Sequence, residues 1–401
     1  MTRSFYVKVL PVVVFAIAAA CVMTASAQES PTGAAVRALS NQLLQVVSRG
    51  GGQGAGEALI EQRAGALAAL AQENPAAALQ LAFPADVIAR LAAAFPSAAA
   101  WLETRGVWEG PIEYIIEDGL DFATHRNIRT MASGGEVLSL QFAGGEPRGL
   151  KNGDVLRVEA LRAGHVLAVS DSSIVSAAEE TPLMCSTIGA QKSIVLLVNM
   201  PSVAAPGFTA SDVAETFFST AQRSLSEYWR DASYGKTWAE GDVKGWYTLD
   251  QDYSCDETNA IRAAAIAAAD ADVDFTQYTR VFIIINGMTG TCTWGGLGTL
   301  ACGTLSSADG SFTASTSWMR QTYFNPADLL RDGVQIAAHE GGHNIGLRHA
   351  KFPGFWTRAP RTARRRGQCH RIWRPVFFDG QASQQYVSGG MDRLRPLCCA
   401  A

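Results

Sequence analysis

The sequence predicts a multidomain α+β chain: a helical N-terminal region, a small β-domain, and then an α/β layered domain. Three changes of rhythm carry this. Between Ala34 and Leu102 the text is Ala- and Leu-rich at helical spacing, as in "ALIEQRAGALAALAQ" and "PADVIARLAAAF", with Pro and Gly between short helices. From Val107 to Ser176 it becomes short alternating runs, "IEYIIED", "EVLSLQFAG", "VLRVEAL" and "HVLAVSD", separated by Gly-rich turns. From Ser193 onward, apolar strands alternate with helices, which implies a layered sheet whose strands are buried on both faces.

The elements follow in order. Residues 1–27 read as an export signal: a basic start at Arg3 and Lys8, an apolar run from Val9 to Val22, and small residues at Ala25 and Ala27, with cleavage after Ala27. The run is shorter than the roughly 20 residues a spanning helix needs, so no membrane association is expected after cleavage. Residues 28–106 form the helical region and residues 107–178 the β-domain. Residues 179–192, within "SAAEETPLMCSTIGAQK", form a polar connector. In the third region, 193–352, "SIVLLVNM" and "TRVFIIING" are buried strands. "ASDVAETFFSTAQRSLSEYWRDAS" and "TNAIRAAAIAAADA" are helices, and "GVQIAAHEGGHNI" opens another.

Composition limits the partners. The formal net charge is −4, which gives no global reason to bind nucleic acid. No EF-hand-like loop occurs. Four cysteines, Cys185, Cys255, Cys292 and Cys302, lie between the signal and the HEGGH stretch, an even number that suits two disulfides in an oxidising compartment. Cys292 and Cys302, flanking "TWGGLGTLA", are the expected local pair.

The chemistry concentrates in "HEGGHNIGLRH". On a helix, His339 and His343 are four apart and project from one face, where both can hold one ion. Gly346 can take the left-handed conformation that ends the helix and brings His349 back as a third ligand. Three neutral imidazoles leave one position of a four-coordinate zinc for water, and Glu340 can take the proton of that water and return it to a leaving amine. His125, His165 and His370 read as ordinary histidines.

This stretch has the HExxHxxGxxH form and resembles the metzincin zinc metallopeptidases. The upstream text "SEYWRDASYGKTWAEGDVKGWYTL", "RVFIIIN" and "CTWGGLGTLACG" looks like the gametolysin-type branch. The resemblance covers about Ser193 to Ala350. It implies a zincin/metzincin-like catalytic domain with a twisted sheet packed on helices. A protein or peptide substrate would lie extended along an edge strand, for which Gly295, Gly296, Leu297 and Gly298 are the candidates. The regions before Ser193 lie where a zymogen keeps its prosegment, or they are accessory domains. Cys185 could cap zinc as a thiolate in a latent form, but a disulfide is the preferred reading because it leaves no unpaired cysteine before the tail. The function expected is a secreted zinc endopeptidase, extracellular or periplasmic, made as a precursor. The alternative is a secreted binding or adhesion protein with a degenerate or structural zinc site.

After Ala350 a metzincin continues into a tight turn carrying a methionine beneath the metal. Here residues 353–401 instead lose glutamate and accumulate arginine, with Trp and Cys at no regular period. One reading is a solvated basic tail for an anionic partner. The preferred reading is a one-base slip near Phe352. With suitable third bases "RIWRPVFFDG", read one base later, becomes E-Y-G-D-P-F-S-S-M-G, which contains a Met-Gly turn, and "PGFW" permits L-D-F-G. Met391, in "SGGMDR", is not taken as that turn. The catalytic domain is then cut short after the active-site helix, and this product is expected to be weak or inactive, with a disordered tail. The DNA across codons 349 to 380 checks this: a metzincin-like continuation should lie in the neighbouring frame, and its absence would remove the slip.

Overall fold

The structure is a computed structural model that describes residues 30–178 and 185–349. The signal segment with its cleavage after Ala27, residues 179–184 of the connector, and the tail with its frame slip lie outside the described residues.

Four helices come first: α1 (Pro31–Ser48), α2 (Gln53–Glu73), α3 (Pro75–Leu81) and α4 (Ala85–Ala94). Their starts are written locally. The Ser30 side chain accepts from Gly33 N ahead of Pro31, and the Asn74 side chain accepts from Ala77 N ahead of Pro75. Five strands follow: β1 (Thr104–Gly119), β2 (His125–Ser133), β3 (Glu136–Phe142), β4 (Val155–Ala163) and β5 (Val166–Ala178). Leu67 and Leu70 of α2 pack on Leu161, Val166 and Ala168 of β4 and β5, so helices and strands before the connector share an apolar core. The buried Arg63 guanidinium bonds Glu103 at 2.7 and 3.0 Å, and Glu103 also accepts from Phe83 N at 2.8 Å. A buried cation is thereby paired in two-point geometry.

The remainder supplies β6 (Gly189–Asn199), α5 (Ala210–Phe218), α6 (Leu225–Ala232), β7 (Thr237–Thr248) and α7 (Thr258–Ala269). It continues with β8 (Arg280–Asn286), β9 (Trp294–Thr299), β10 (Gly303–Ser307), β11 (Gly310–Arg320) and α8 (Val334–Asn344). Alternate residues of β6 serve opposite faces. Ile194, Leu196 and Val198 meet Ile261 and Ala265 of α7, while Val195 and Leu197 belong to the core with Val213, Phe217, Trp229 and Ile336 of α5, α6 and α8. Strands β6, β7, β8 and β11 pair in parallel; helices connect β6 to β7 and β7 to β8, while β8 reaches β11 through β9 and β10.

The fold is mixed α+β with a large sheet, in which the layers expected from the sequence meet differently in three places. First, the single helix expected over residues 210–233 is two, α5 and α6. Ser224 Oγ donates to Ser219 O and accepts from Glu227 N, so a side chain satisfies the backbone at the break and starts the second helix. Second, the β-region is not a sheet of its own. All eleven strands among the described residues join in the order β2-β3-β5-β4-β1-β9-β11-β8-β6-β7, with β10 paired to β11.

Third, the expected Cys292–Cys302 disulfide is replaced by Cys255–Cys292 and Cys185–Cys302, with Cα–Cα distances of 5.4 and 6.0 Å. The reason is that the text between Cys292 and Cys302 is strand β9. Six extended residues separate its ends by about 20 Å, beyond the roughly 7 Å a disulfide spans. Cys185 is therefore in a disulfide and does not act as a thiolate cap. No single described helix is long and apolar enough to cross a membrane. Non-reducing peptide mapping should recover these two linked pairs and no Cys292–Cys302 peptide, and Cys185→Ser should lower stability by about 2–5 kcal/mol in denaturant melts.

Candidate metal centre

Helix α8 carries His339 and His343 one turn apart, with ring centroids 5.2 Å from each other. The helix ends in a Schellman turn. Gly346 N donates to His343 O at 2.8 Å and Leu347 N donates to Gly342 O at 3.0 Å, with Gly346 at φ +92°. That left-handed residue turns the chain so that His349 faces the helix, where its Nε2 lies 3.2 Å from His339 Nε2. The structure thus brings His339, His343 and His349 together, with Gly346 at the turn.

A fourth group enters from a distant part of the sequence. Asp118, fully buried near the end of β1, puts Oδ2 at 3.1 Å from the Nε2 of both His339 and His343 and Oδ1 at 2.9 Å from His349 Nε2. One donor atom from each of the four residues lies within 4.8 Å of every other. For ligands about 2.0–2.1 Å from a central ion, a tetrahedral edge is about 3.3 Å, close to these separations.

The chemistry of the donors fits a cation. Leu347 O accepts from His343 Nδ1 at 2.8 Å, which turns Nε2 toward the Asp118 carboxylate. A ring lone pair and a carboxylate at that distance repel, so positive charge, either a metal ion or a second ring proton, belongs between them. Asp118 Oδ1 moreover has no hydrogen-bond partner despite its burial. Burial alone would raise the Asp118 carboxyl, but its interactions with His339, His343 and His349 outweigh that and hold it well below the usual carboxylate range.

Glu340, also fully buried, has no partner for either carboxylate oxygen. Burial, and after it the charge of Asp118, push its carboxyl well above the usual range. Strand β9 makes room for it. A Cβ on Gly296 would stand 2.3 Å from Glu340 Oε1, and one on Gly298 would stand 2.7 Å from Glu340 O and 3.0 Å from His343 Cβ. Asn344 clamps helix to sheet. Its Nδ2 donates to Thr299 O and Thr316 O, each at 3.1 Å, and its Oδ1 accepts from Ser317 Oγ at 2.9 Å.

The expectation that Gly295, Gly296, Leu297 and Gly298 form a free edge for substrate is corrected. Strand β9 is interior, between β1 and β11, with Asp118 opposite Gly296 and Glu117 opposite Leu297. The edge is taken because the chain supplies its own antiparallel strand, whose Ile115 joins the core shared with Trp294 and Leu297. Gly295 instead faces Tyr323 and Phe122, and a Cβ there would lie 2.8 Å from the Tyr323 hydroxyl.

Sequence reasoning misses one residue here, Asp118, which ends an alternating strand and gives no local metal signal. The ring of His125 stands 4.1 Å from that of His349 but is not among the clustered donors. The pairing of His125 with Asp118 across the β1–β2 hairpin puts it there.

The family described as gametolysin peptidase M11 matches residues 192–357. That span contains α8, the three histidines and Glu340, excludes Asp118 and the whole β1–β5 region, and ends a few residues into the tail. No curated protein matches the chain. Gly296→Ala should force Glu340 aside and cost about 1–3 kcal/mol, seen as a lowered thermal midpoint.

Proposed function

Starting from residues 192–357 as a gametolysin-type metallopeptidase segment, we propose that the chain is the precursor of a secreted zinc endopeptidase of metzincin type. The observation that supports this best is the pairing of a three-histidine cluster with a buried, unpartnered glutamate one residue after the first histidine. A zinc ion held there supplies a Lewis acid that polarises a peptide carbonyl and acidifies water. His339, His343 and His349 would hold it through Nε2, and the Leu347 carbonyl would keep the His343 ring turned toward it.

Glu340 does the proton work. Its carboxylate accepts a proton from the attacking water and delivers it to the leaving amine. Phe122 and Tyr323, packed edge to face at 5.7 Å, shield the His339 side of the site from solvent. Backbone groups of β9 would align an extended peptide along the line now taken by β1.

One observation favours a second reading, a structural zinc site in a binding protein. With Asp118 included, four protein groups surround the ion position, as in closed structural sites. Against it stands Glu340, since a purely structural site has no use for a second buried carboxylate without a partner. Purified full-length protein should hold one equivalent of zinc by elemental analysis, and His343→Ala should lose it. With the reading frame restored, casein cleavage should stop on adding 1,10-phenanthroline. In that frame Glu340→Gln should keep its metal while hydrolysis falls about 10²- to 10⁴-fold. Undiminished hydrolysis by Glu340→Gln would refute the peptidase reading.

A further inference from the structure

We propose that Asp118 is the fourth ligand of the metal centre and that Ile115–Gly119 of β1 is a built-in occupant of the peptide-binding edge, so that residues 30–178 hold this chain latent. The inference rests on the peptidase reading above and concerns the regulation of that site.

The first ground is register. Ile115, Ile116, Glu117, Asp118 and Gly119 lie antiparallel to Thr299, Gly298, Leu297, Gly296 and Trp294. These are the main-chain groups that an extended substrate would use. The strand places Asp118 opposite the glycine that faces Glu340. The carboxylate therefore sits among the three imidazoles and beside the general base, where attacking water and a scissile carbonyl would have to meet. Four protein ligands complete a tetrahedral ion and leave no open position, whereas three leave one.

The second ground is how the strand is delivered and held. The first half of β1, Thr104–Pro111, pairs with β4, and the second half pairs with both β2 and β9. The occupying segment is thus part of a folded body whose apolar core includes Ile112, Tyr114, Met131 and Leu140 and takes in Leu300 from beyond β9. Around the site this body is fastened by the β1–β9 ladder, by Ile115 in the core with Trp294 and Leu297, and by polar ties. Glu113 accepts from Asn259 Nδ2 at 2.9 Å and pairs with Arg262. Arg348 donates to the Tyr114 hydroxyl at 2.7 Å, to Glu146 at 3.0 Å and to Leu150 O.

The third ground is covalent. Residues 28–184 contain no cysteine. Both disulfides lie within residues 185–302, and the Cys185–Cys302 bond fastens the first described residue of the connector to the residue three past β9. The occupying body is therefore joined to the metal-binding part by one run of backbone and by non-covalent contacts alone.

The test uses the full-length chain loaded with cobalt in place of zinc, in the wild type, Asp118→Ala and Asp118→Asn. The probe is a Pro-Leu-Gly hydroxamate, which needs an open coordination position. Both variants should keep one cobalt per chain, change its visible absorption, and bind the hydroxamate at least ten-fold more tightly than the wild type. Asp118→Asn keeps the size of the side chain, so it decides the matter if the alanine variant does not fold. Equal hydroxamate affinity and unchanged cobalt spectra across wild type and folded variants would overturn the latency while leaving the metallopeptidase reading intact. A wild-type chain that binds no stoichiometric metal would overturn that reading and the latency with it.

Discussion

The pairing of β1 with β9 is the contact on which the rest of the structure depends. It joins the strands before the connector to those after it in one sheet of eleven strands among the described residues, and a carboxylate from residue 118 reaches imidazoles on a helix more than two hundred residues later. A β-sheet edge is an unsatisfied row of donors and acceptors, and burying it requires a partner. Here the partner strand comes from the same chain, so a generic backbone demand delivers a specific side chain.

The glycines of β9 answer a different demand. A helix that carries a buried glutamate toward a sheet needs the strand opposite to lack side chains. Gly296 and Gly298 face Glu340 and His343 for this reason, and Gly341 in the helix makes way for Trp229 behind it. Close packing on both sides removes the water that would otherwise solvate the carboxylate, and the shift in its proton affinity follows from that dryness. The Gly-rich text between Cys292 and Cys302 thus reflects helix–sheet approach, and no tight disulfide loop is needed to explain it.

What the sequence made legible was local. The spacing of His339, Glu340, His343, Gly346 and His349 is a statement about one helix and the turn after it, and 3.6 residues per turn suffices to read it. The alternating runs gave the β-strands, and the apolar runs gave β6 and β8, because side-chain period reports burial. What stayed hidden was long-range. Asp118 and His125 look like ordinary polar residues beside a turn until a sheet pairing carries them to the histidines. The cysteine partners were misjudged because nearness in sequence says little when an extended strand intervenes. The break between α5 and α6 depended on whether Ser224 would cap a helix or ride within one, and serine's propensities permit both.

Arg348 adjoins the third histidine, yet every hydrogen bond described for its side chain goes to Tyr114, Glu146 or Leu150, all in the β-region. The turn that presents His349 is therefore steadied by the same body whose β1 pairs with β9. Under the proposed latency, release of that body would open the site and at the same time free Arg348, so the opened site would hold its third histidine less rigidly.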